Sequence, residues 1–365
     1  MSQQSTLQPL TQIPAHLQTI ADYEKEAELH LSHMVWQYLQ GGSMNEHSVR
    51  GNLSQFEHIK LLPRMLKDLT QGHTHIEILG QRFPHPIFIA PIGHQQQFHP
   101  DAEAATALAA EVMGCNMILS TFTNTDMRTL KKDNPYKWFQ LYWQGERKRS
   151  LALVKMAEEH GYKTIVVTID SPHSGIRDRE RHAFFELPKH EPQPHHFIQQ
   201  PQTNENEHPL FQGLMKIAPI WDDIAWLSQQ TSLPIILKGI VNPHDAKLAL
   251  QHGVQGIIVS NHGGRVLDGC IPPLTALQLI KKVVPADFPV LYDGGIRRGS
   301  DVFKAIALGA SAVLVGRPCI YGLATAGALG VAHVLKILKE EFEITMALMG
   351  TATVNEISTD YIFQK

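Results

Sequence analysis

Cysteine is scarce in this chain of 365 residues. The three that occur, Cys115, Cys270 and Cys319, are odd in number and lack CxxC spacing, which excludes a disulfide framework and a structural zinc site and fits a reducing cytoplasm. No dedicated base accompanies Cys270, so it reads as a packed or passive thiol. Charge of one sign is also missing. A formal net charge of -3 offers no electrostatic footprint for DNA, RNA or an anionic membrane, so the expected partners are small molecules rather than nucleic acid. The N-terminus has neither the basic start nor the apolar stretch of a signal peptide. The most apolar run, Leu323 to Leu335, is about a dozen residues long and contains His333, against the roughly 20 apolar residues of a membrane helix. No membrane span is expected. The 21 histidines, including His190, His195 and His196, come without HExxH or paired Cys/His spacing, and no metal site is expected.

What the chain does have is alternation. From residue 87 onward, short apolar β-rich runs are separated by longer helical patterns, as in a parallel sheet of βα units. The strands read as Ile87 to Ala90, Met117 to Ser120, Phe139 to Trp143, Thr164 to Ile169, Ile235 to Lys238, Gly256 to Ser260, Val290 to Asp293 and Ala312 to Gly316. Helices are expected over Asp101 to Met113, Asn242 to Gly253 and Ser300 to Gly309, each opening on a capping residue type. Eight such units, with no Gly-rich fingerprint after the first strand, favour a closed (β/α)8 TIM barrel of the α/β class over a dinucleotide-binding open sheet. The barrel is expected over residues 81–357 as a single domain. Residues 1–80 form an N-terminal helical extension covering one end, with a helical stretch from Asp22 to Leu39, and residues 358–365 form a tail. A long polar loop after the fourth strand, residues 171–219, reads as a lid.

Active sites of βα barrels gather at the C-terminal strand ends, and here those ends are polar. They carry Pro91, Ile92 and Gly93, then Ser120, Gln140 with Tyr142, Thr168 with Asp170, Lys238, and the run from Ser260 to Arg265. The seventh and eighth strands end in Asp293, Gly294 and Gly295 and in Gly316, each followed by an arginine, Arg297 and Arg317. Glycines that admit backbone N–H groups to an anion, beside two guanidiniums at these two strand ends, point to a phosphorylated cofactor or substrate.

The strings SNHGGR, DGGIRRGSDVFKAIALGA and VGRP, with the earlier WFQLYW and TIDSP, resemble the FMN-dependent α-hydroxy acid oxidase and dehydrogenase family, of the lactate oxidase and glycolate oxidase kind. The resemblance runs from about Tyr23 to Ile357. It implies FMN as cofactor, His262 as the catalytic base, Asp170 as the carboxylate that orients it, and Arg177 and Arg265 as the pair gripping a substrate carboxylate. Tyr38 and Tyr142 become substrate-facing hydroxyls, and Lys238 a cation at the flavin's pyrimidine edge. The remaining flavin contacts it implies are Pro91, Ile92, Gly93, Ser120, Gln140, Thr168, Ser260, Asp293, Gly294, Gly295, Arg297, Gly316 and Arg317. These roles suit the residue types: imidazole takes a proton near neutral pH, and guanidinium forks match a planar carboxylate.

Two positions depart from the family's commonest pattern. Gly93 is expected to open space above the flavin, and Phe122 stands where glycolate oxidases tend to carry tryptophan. The activity implied is oxidation of a small L-2-hydroxy acid, foremost L-lactate, with dioxygen reoxidising the flavin to give hydrogen peroxide. The alternatives are a dehydrogenase passing electrons to a quinone or carrier protein and, in another class, a non-catalytic FMN-binding barrel or an isomerase on the same fold. The joint presence of His262, Arg265, Arg177 and Lys238 argues against the latter class. A homotetramer is expected on the resemblance alone.

Overall fold

The computed structural model describes residues 6–131, 134–198 and 201–363. Parallel strands covered by helices are buried on both faces, so they read as continuous aliphatic runs rather than alternating ones. Eight such runs form the barrel: β3 (Ile87–Ile89), β4 (Met117–Leu119), β5 (Lys137–Leu141), β6 (Ile165–Thr168), β7 (Ile235–Ile240), β8 (Gly256–Val259), β9 (Val290–Asp293) and β10 (Val313–Val315). They follow one another in chain order around a closed parallel barrel, with β10 returning to pair with β3. Two strands differ from their expected spans. β5 starts at Lys137 and stops before Tyr142, whose N–H leaves the ladder for Thr121 Oγ1 at 2.9 Å. β7 continues to Ile240 through a bulge at Gly239.

The barrel is jacketed by α4 (Ala102–Met113), α5 (Arg147–Glu159), α7 (Trp221–Ser228), α8 (Pro243–Gln251), α9 (Pro273–Lys281), α10 (Gly299–Ala307) and α11 (Arg317–Met349). Of the expected capping residues, Asn242 accepts from the N–H of His244 at 2.9 Å, whereas the Asp101 side chain caps nothing. α11 is long and apolar enough to cross a membrane by length and composition, which the expectation from Leu323 to Leu335 had missed. It lies in the core instead, with 78% of its most apolar window buried against α4, α10 and the N-terminal helix described next. It bends at Ala326 and Gly327, where the backbone is non-helical.

The N-terminal extension closes both ends of the barrel, not one. The helical stretch expected from Asp22 to Leu39 is two helices, α1 (Ile20–His30) and α2 (His33–Gln40), because Leu31 is extended and Ser32 caps the second helix. With α3 (His47–His58), α2 reaches the C-terminal mouth of the barrel. A hairpin of β1 (Ile76–Ile78) and β2 (Gln81–Phe83) plugs the opposite end, where Phe83 packs on Phe88 with ring centroids 4.7 Å apart. The loop after β6 carries α6 (Asp178–His182), a π-helical turn over Pro209–Gly213 and a 3-10 turn over Leu214–Ile217. It is pinned down through Glu191, which accepts from His94 Nδ1 at 2.8 Å and Gln97 Nε2 at 2.9 Å.

The plug depends on one amide. Gln81 Oε1 accepts from the indole N–H of the fully buried Trp138 at 3.0 Å, and its Nε2 donates to Thr164 Oγ1 at 3.2 Å. Gln81→Leu strands the indole donor and is expected to cost roughly 1–3 kcal/mol. Urea unfolding should show a lower midpoint at an unchanged slope.

Candidate active site

The strand ends place one histidine in an unusual backbone state. His262 follows β8 and adopts φ of +57°, a left-handed conformation costing a non-glycine residue about 1–2 kcal/mol. Three contacts enforce it. Ser260 Oγ accepts from His262 N at 3.0 Å, Asn261 Oδ1 accepts from Gly264 N at 3.1 Å, and the Asn261 amide pairs reciprocally with Asn52 of α3 at 2.8 Å in both directions. The turn aims His262 Nδ1 at Asp170 Oδ1, 2.7 Å away, and leaves Nε2 toward Tyr142 Oη at 3.4 Å. With Asp170 ionised, Nδ1 carries the proton and Nε2 keeps its lone pair.

Asp170 has room only because of the bulge in β7: a Cβ at Gly239, whose φ is +108°, would lie 2.5 Å from the Asp170 Cβ. Burial pushes the Asp170 carboxyl up, but His262 and Lys238 outweigh it and hold it below the ordinary carboxylate value. Lys238 is likewise disfavoured as a cation by burial, yet Asp293 and Asp170 raise its ammonium above the usual value. Its Nζ lies 3.0 Å from Asp293 Oδ2 and donates to Ser260 Oγ at 3.1 Å, while Ser260 Oγ donates to Asp293 at 2.7 Å. Tyr142 is pushed up to about 12 by burial and by Asp170, and stays a phenol.

These groups surround a cavity of about 1210 Å³ at the C-terminal mouth. Of the residues singled out in the sequence, all line it except Gln140, Asp170 and Ser260, which stand just behind its wall. Next to it are polar atoms without partners among the described residues: Gln140 Nε2, Thr168 Oγ1 and Asp170 Oδ2. Each buried orphan costs about 1–3 kcal/mol, so this ring is built for a polar ligand.

The phosphate corner is shaped by close approach. Gly295 has φ of +82°, and a Cβ there would lie 1.9 Å from the Asn52 carbonyl oxygen. Arg297 donates to the Ile296 carbonyl and lies over the Tyr321 ring, 6.0 Å from its centroid. Arg317 opens α11 and donates to the carbonyls of Leu39, Gly263 and Gly41 at 3.0 to 3.2 Å. Burial, with Arg265 and Arg297 nearby, brings its guanidinium down to about 10. Neither arginine is in an ion pair among the described residues, so positive charge stands there uncompensated. A flavin mononucleotide fits this set: the phosphate meets Arg297, Arg317 and the α11 N-terminus, and the ring edges meet the orphaned Gln140 and Thr168 atoms and Lys238.

Arg177 and Arg265 do converge, but on a residue that motif reading passed over. Both donate to Glu180 Oε1, at 2.9 and 3.0 Å, and Arg265 also donates to the carbonyls of Tyr38 and Gly41. Tyr38 stacks on Phe185 with centroids 4.3 Å apart. The expected space at Gly93 is filled: a Cβ there would fall 2.5 Å from the Cβ of Phe122, so the missing side chain admits Phe122 rather than opening the pocket. Phe122 in turn packs on Tyr142 at 4.8 Å and on His94 at 5.4 Å. Burial and the nearby Asp170 push the Cys270 thiol up, consistent with a passive role. His195 accepts from Met127 N at 2.8 Å, and His196 packs edge-on to Phe122. Asn52, Glu180 and Gly239 carry no local motif, so only their three-dimensional neighbours mark them.

The family of FMN-dependent dehydrogenases matches residues 27–364. The chain is 44% identical over 352 residues to an L-lactate oxidase of Roseobacter sp. strain GAI101, with 94% of each chain covered. It is 41% identical over 363 residues to an L-lactate oxidase of Alicycliphilus denitrificans, covering 97% of this chain and 98% of the relative. The mouse 2-hydroxyacid oxidase 1 is 40% identical, over 93% of this chain and 94% of its own. Among solved structures, a mandelate oxidase with (S)-2-phenylpropionate superposes with a TM-score of 0.87 at 38% identity, covering 95% of this chain and 98% of the other.

Gly295→Ala is expected to drive the backbone off Asn52, destabilise the protein by roughly 2 kcal/mol or more, and release flavin. The absorbance ratio of purified protein at flavin and protein wavelengths, with a melting curve, measures both.

Proposed function

Because the chain belongs to the FMN-dependent dehydrogenase family, and to its 2-hydroxy acid oxidases, we propose that its substrate is L-lactate or an acid of similar size and that dioxygen is its electron acceptor. The observation carrying this reading is that one cavity holds a base with a fixed tautomer, His262, beside two guanidiniums suited to a carboxylate, Arg177 and Arg265. FMN, when bound, takes the electron pair from the substrate and passes it to dioxygen.

The residues divide the remaining work. Arg177 and Arg265 grip the acid's carboxylate and so fix its α-carbon relative to His262. His262 Nε2 receives the proton that leaves the substrate, and the Asp170 carboxylate steadies the imidazolium that results. Tyr142, held as a phenol, offers its O–H to the reacting oxygen. Lys238 sets a buried positive charge opposite negative charge developing at the mouth. Phe122, wedged against Tyr142 and His94, limits the room beside the reacting carbon and favours a short side chain. The reading extends to a cytoplasmic homotetramer, for which light scattering should return the mass of four 40.9 kDa chains.

Purified protein is expected to be yellow, to bleach with L-lactate under anaerobic conditions, and to recolour in air with release of hydrogen peroxide. Absence of bleaching with every member of a panel of 2-hydroxy acids would refute the reading. His262→Ala should keep its colour while anaerobic bleaching slows by about a hundred- to ten-thousand-fold. Asp170→Asn, which loses the charge that fixes the tautomer, should slow it to a similar degree. Stopped-flow absorbance measures both rates.

A further inference from the structure

Glu180 puts a carboxylate where the two arginines of the proposed acid site meet. A single oxygen, Oε1, accepts from Arg177 Nη1 at 2.9 Å and from Arg265 Nη2 at 3.0 Å. The side chain is 12% exposed and lines the cavity. Its helix, α6, belongs to the loop after β6, whereas Arg265 belongs to the turn after β8, so this oxygen also ties the loop to the barrel.

The arrangement solves one problem and creates another. Without an internal anion, Arg177 and Arg265 would face each other half-buried, and with Arg317 close by, three guanidiniums would repel one another. A substrate carboxylate, however, needs the same two guanidiniums. Arg265 has little freedom to offer another face, since its Nη1 donates to two carbonyls and its guanidinium lies 5.0 Å over the Tyr38 ring. Two carboxylates drawn to one such pair repel each other at contact distance.

We propose that Glu180 is a tethered placeholder for the substrate carboxylate: it neutralises Arg177 and Arg265 while the acid is absent and yields its hold when the acid enters. This rests on the reading of Arg177 and Arg265 as the acid-binding pair. An intramolecular competitor weakens the binding of every acid that uses the site. The 2-oxo product is a carboxylate too, so the returning Glu180 side chain helps to expel it.

The test is an anaerobic titration of the FMN-loaded protein with oxalate and with pyruvate, followed by the visible spectrum of the oxidised flavin. Glu180→Gln keeps the shape and an oxygen able to accept from both arginines but removes the charge. It is expected to lower the Kd for oxalate on the order of tenfold, and in turnover to lower KM and strengthen inhibition by pyruvate. Glu180→Asp, one methylene too short to bridge both guanidiniums, should tighten oxalate by a smaller factor. Oxalate binding that is unchanged or weaker in Glu180→Gln, at full flavin content, overturns the placeholder and leaves Glu180 a fixed anchor. Should Glu180→Gln fail to retain flavin, the aspartate variant decides on the same criterion. A wild-type flavin spectrum that responds to no acid overturns the functional reading and the placeholder together, whereas a wild-type response without a variant effect overturns the placeholder alone.

Discussion

Two side-chain amides, Asn52 and Asn261, face each other through reciprocal hydrogen bonds, and much of the mouth of the barrel is referred to that pair. Asn261 caps the turn that holds His262 in its left-handed state, and the Asn52 backbone presses on Gly295 closely enough to exclude any side chain there. One buried contact thus sets the base and the phosphate corner relative to each other. It also explains why the N-terminal extension belongs to the site: Asn52 lies on α3, outside the barrel altogether.

The charges of the cavity sort into matched and unmatched groups. Lys238 is matched by Asp293, and Arg177 and Arg265 share Glu180. Asp170 is matched by His262. Arg297 and Arg317 remain, leaning on carbonyl oxygens and an aromatic face. Carbonyl dipoles solvate a buried guanidinium without neutralising it, so the surplus sits where an anion is required. That surplus lies at the ends of β9 and β10, the corner at which βα barrels hold phosphate.

The barrel was legible in the sequence because strands buried on both faces leave uninterrupted aliphatic runs, and Val290–Asp293 appears with its expected limits. Boundaries slipped where a side chain competed with the ladder, as Thr121 does for the N–H of Tyr142, or where a bulge prolonged a strand, as at Gly239. The residues that touch the cavity were legible because they cluster in short strings at strand ends. The residues that hold those in place were not. Asn52, Glu180 and Gly239 act across 209, 85 and 69 positions of chain, and no local pattern records a partner so distant. Gly93 failed for a related reason: a missing side chain predicts space only until the neighbour that fills it is known.

The chain's two ends meet at this cavity. Tyr38 and the carbonyls of Leu39 and Gly41 come from the first fifty residues, while Arg317, which donates to two of those carbonyls, follows the last barrel strand. No contiguous fragment of the chain therefore contains the cradle. Its construction coincides with ring closure, when β10 pairs with β3, and a protein still lacking that final strand has neither the arginine nor the pocket wall that the arginine gathers. Flavin retention in this architecture is a signature of a completed ring, and the yellow colour of a preparation counts molecules whose beginning and end have found each other.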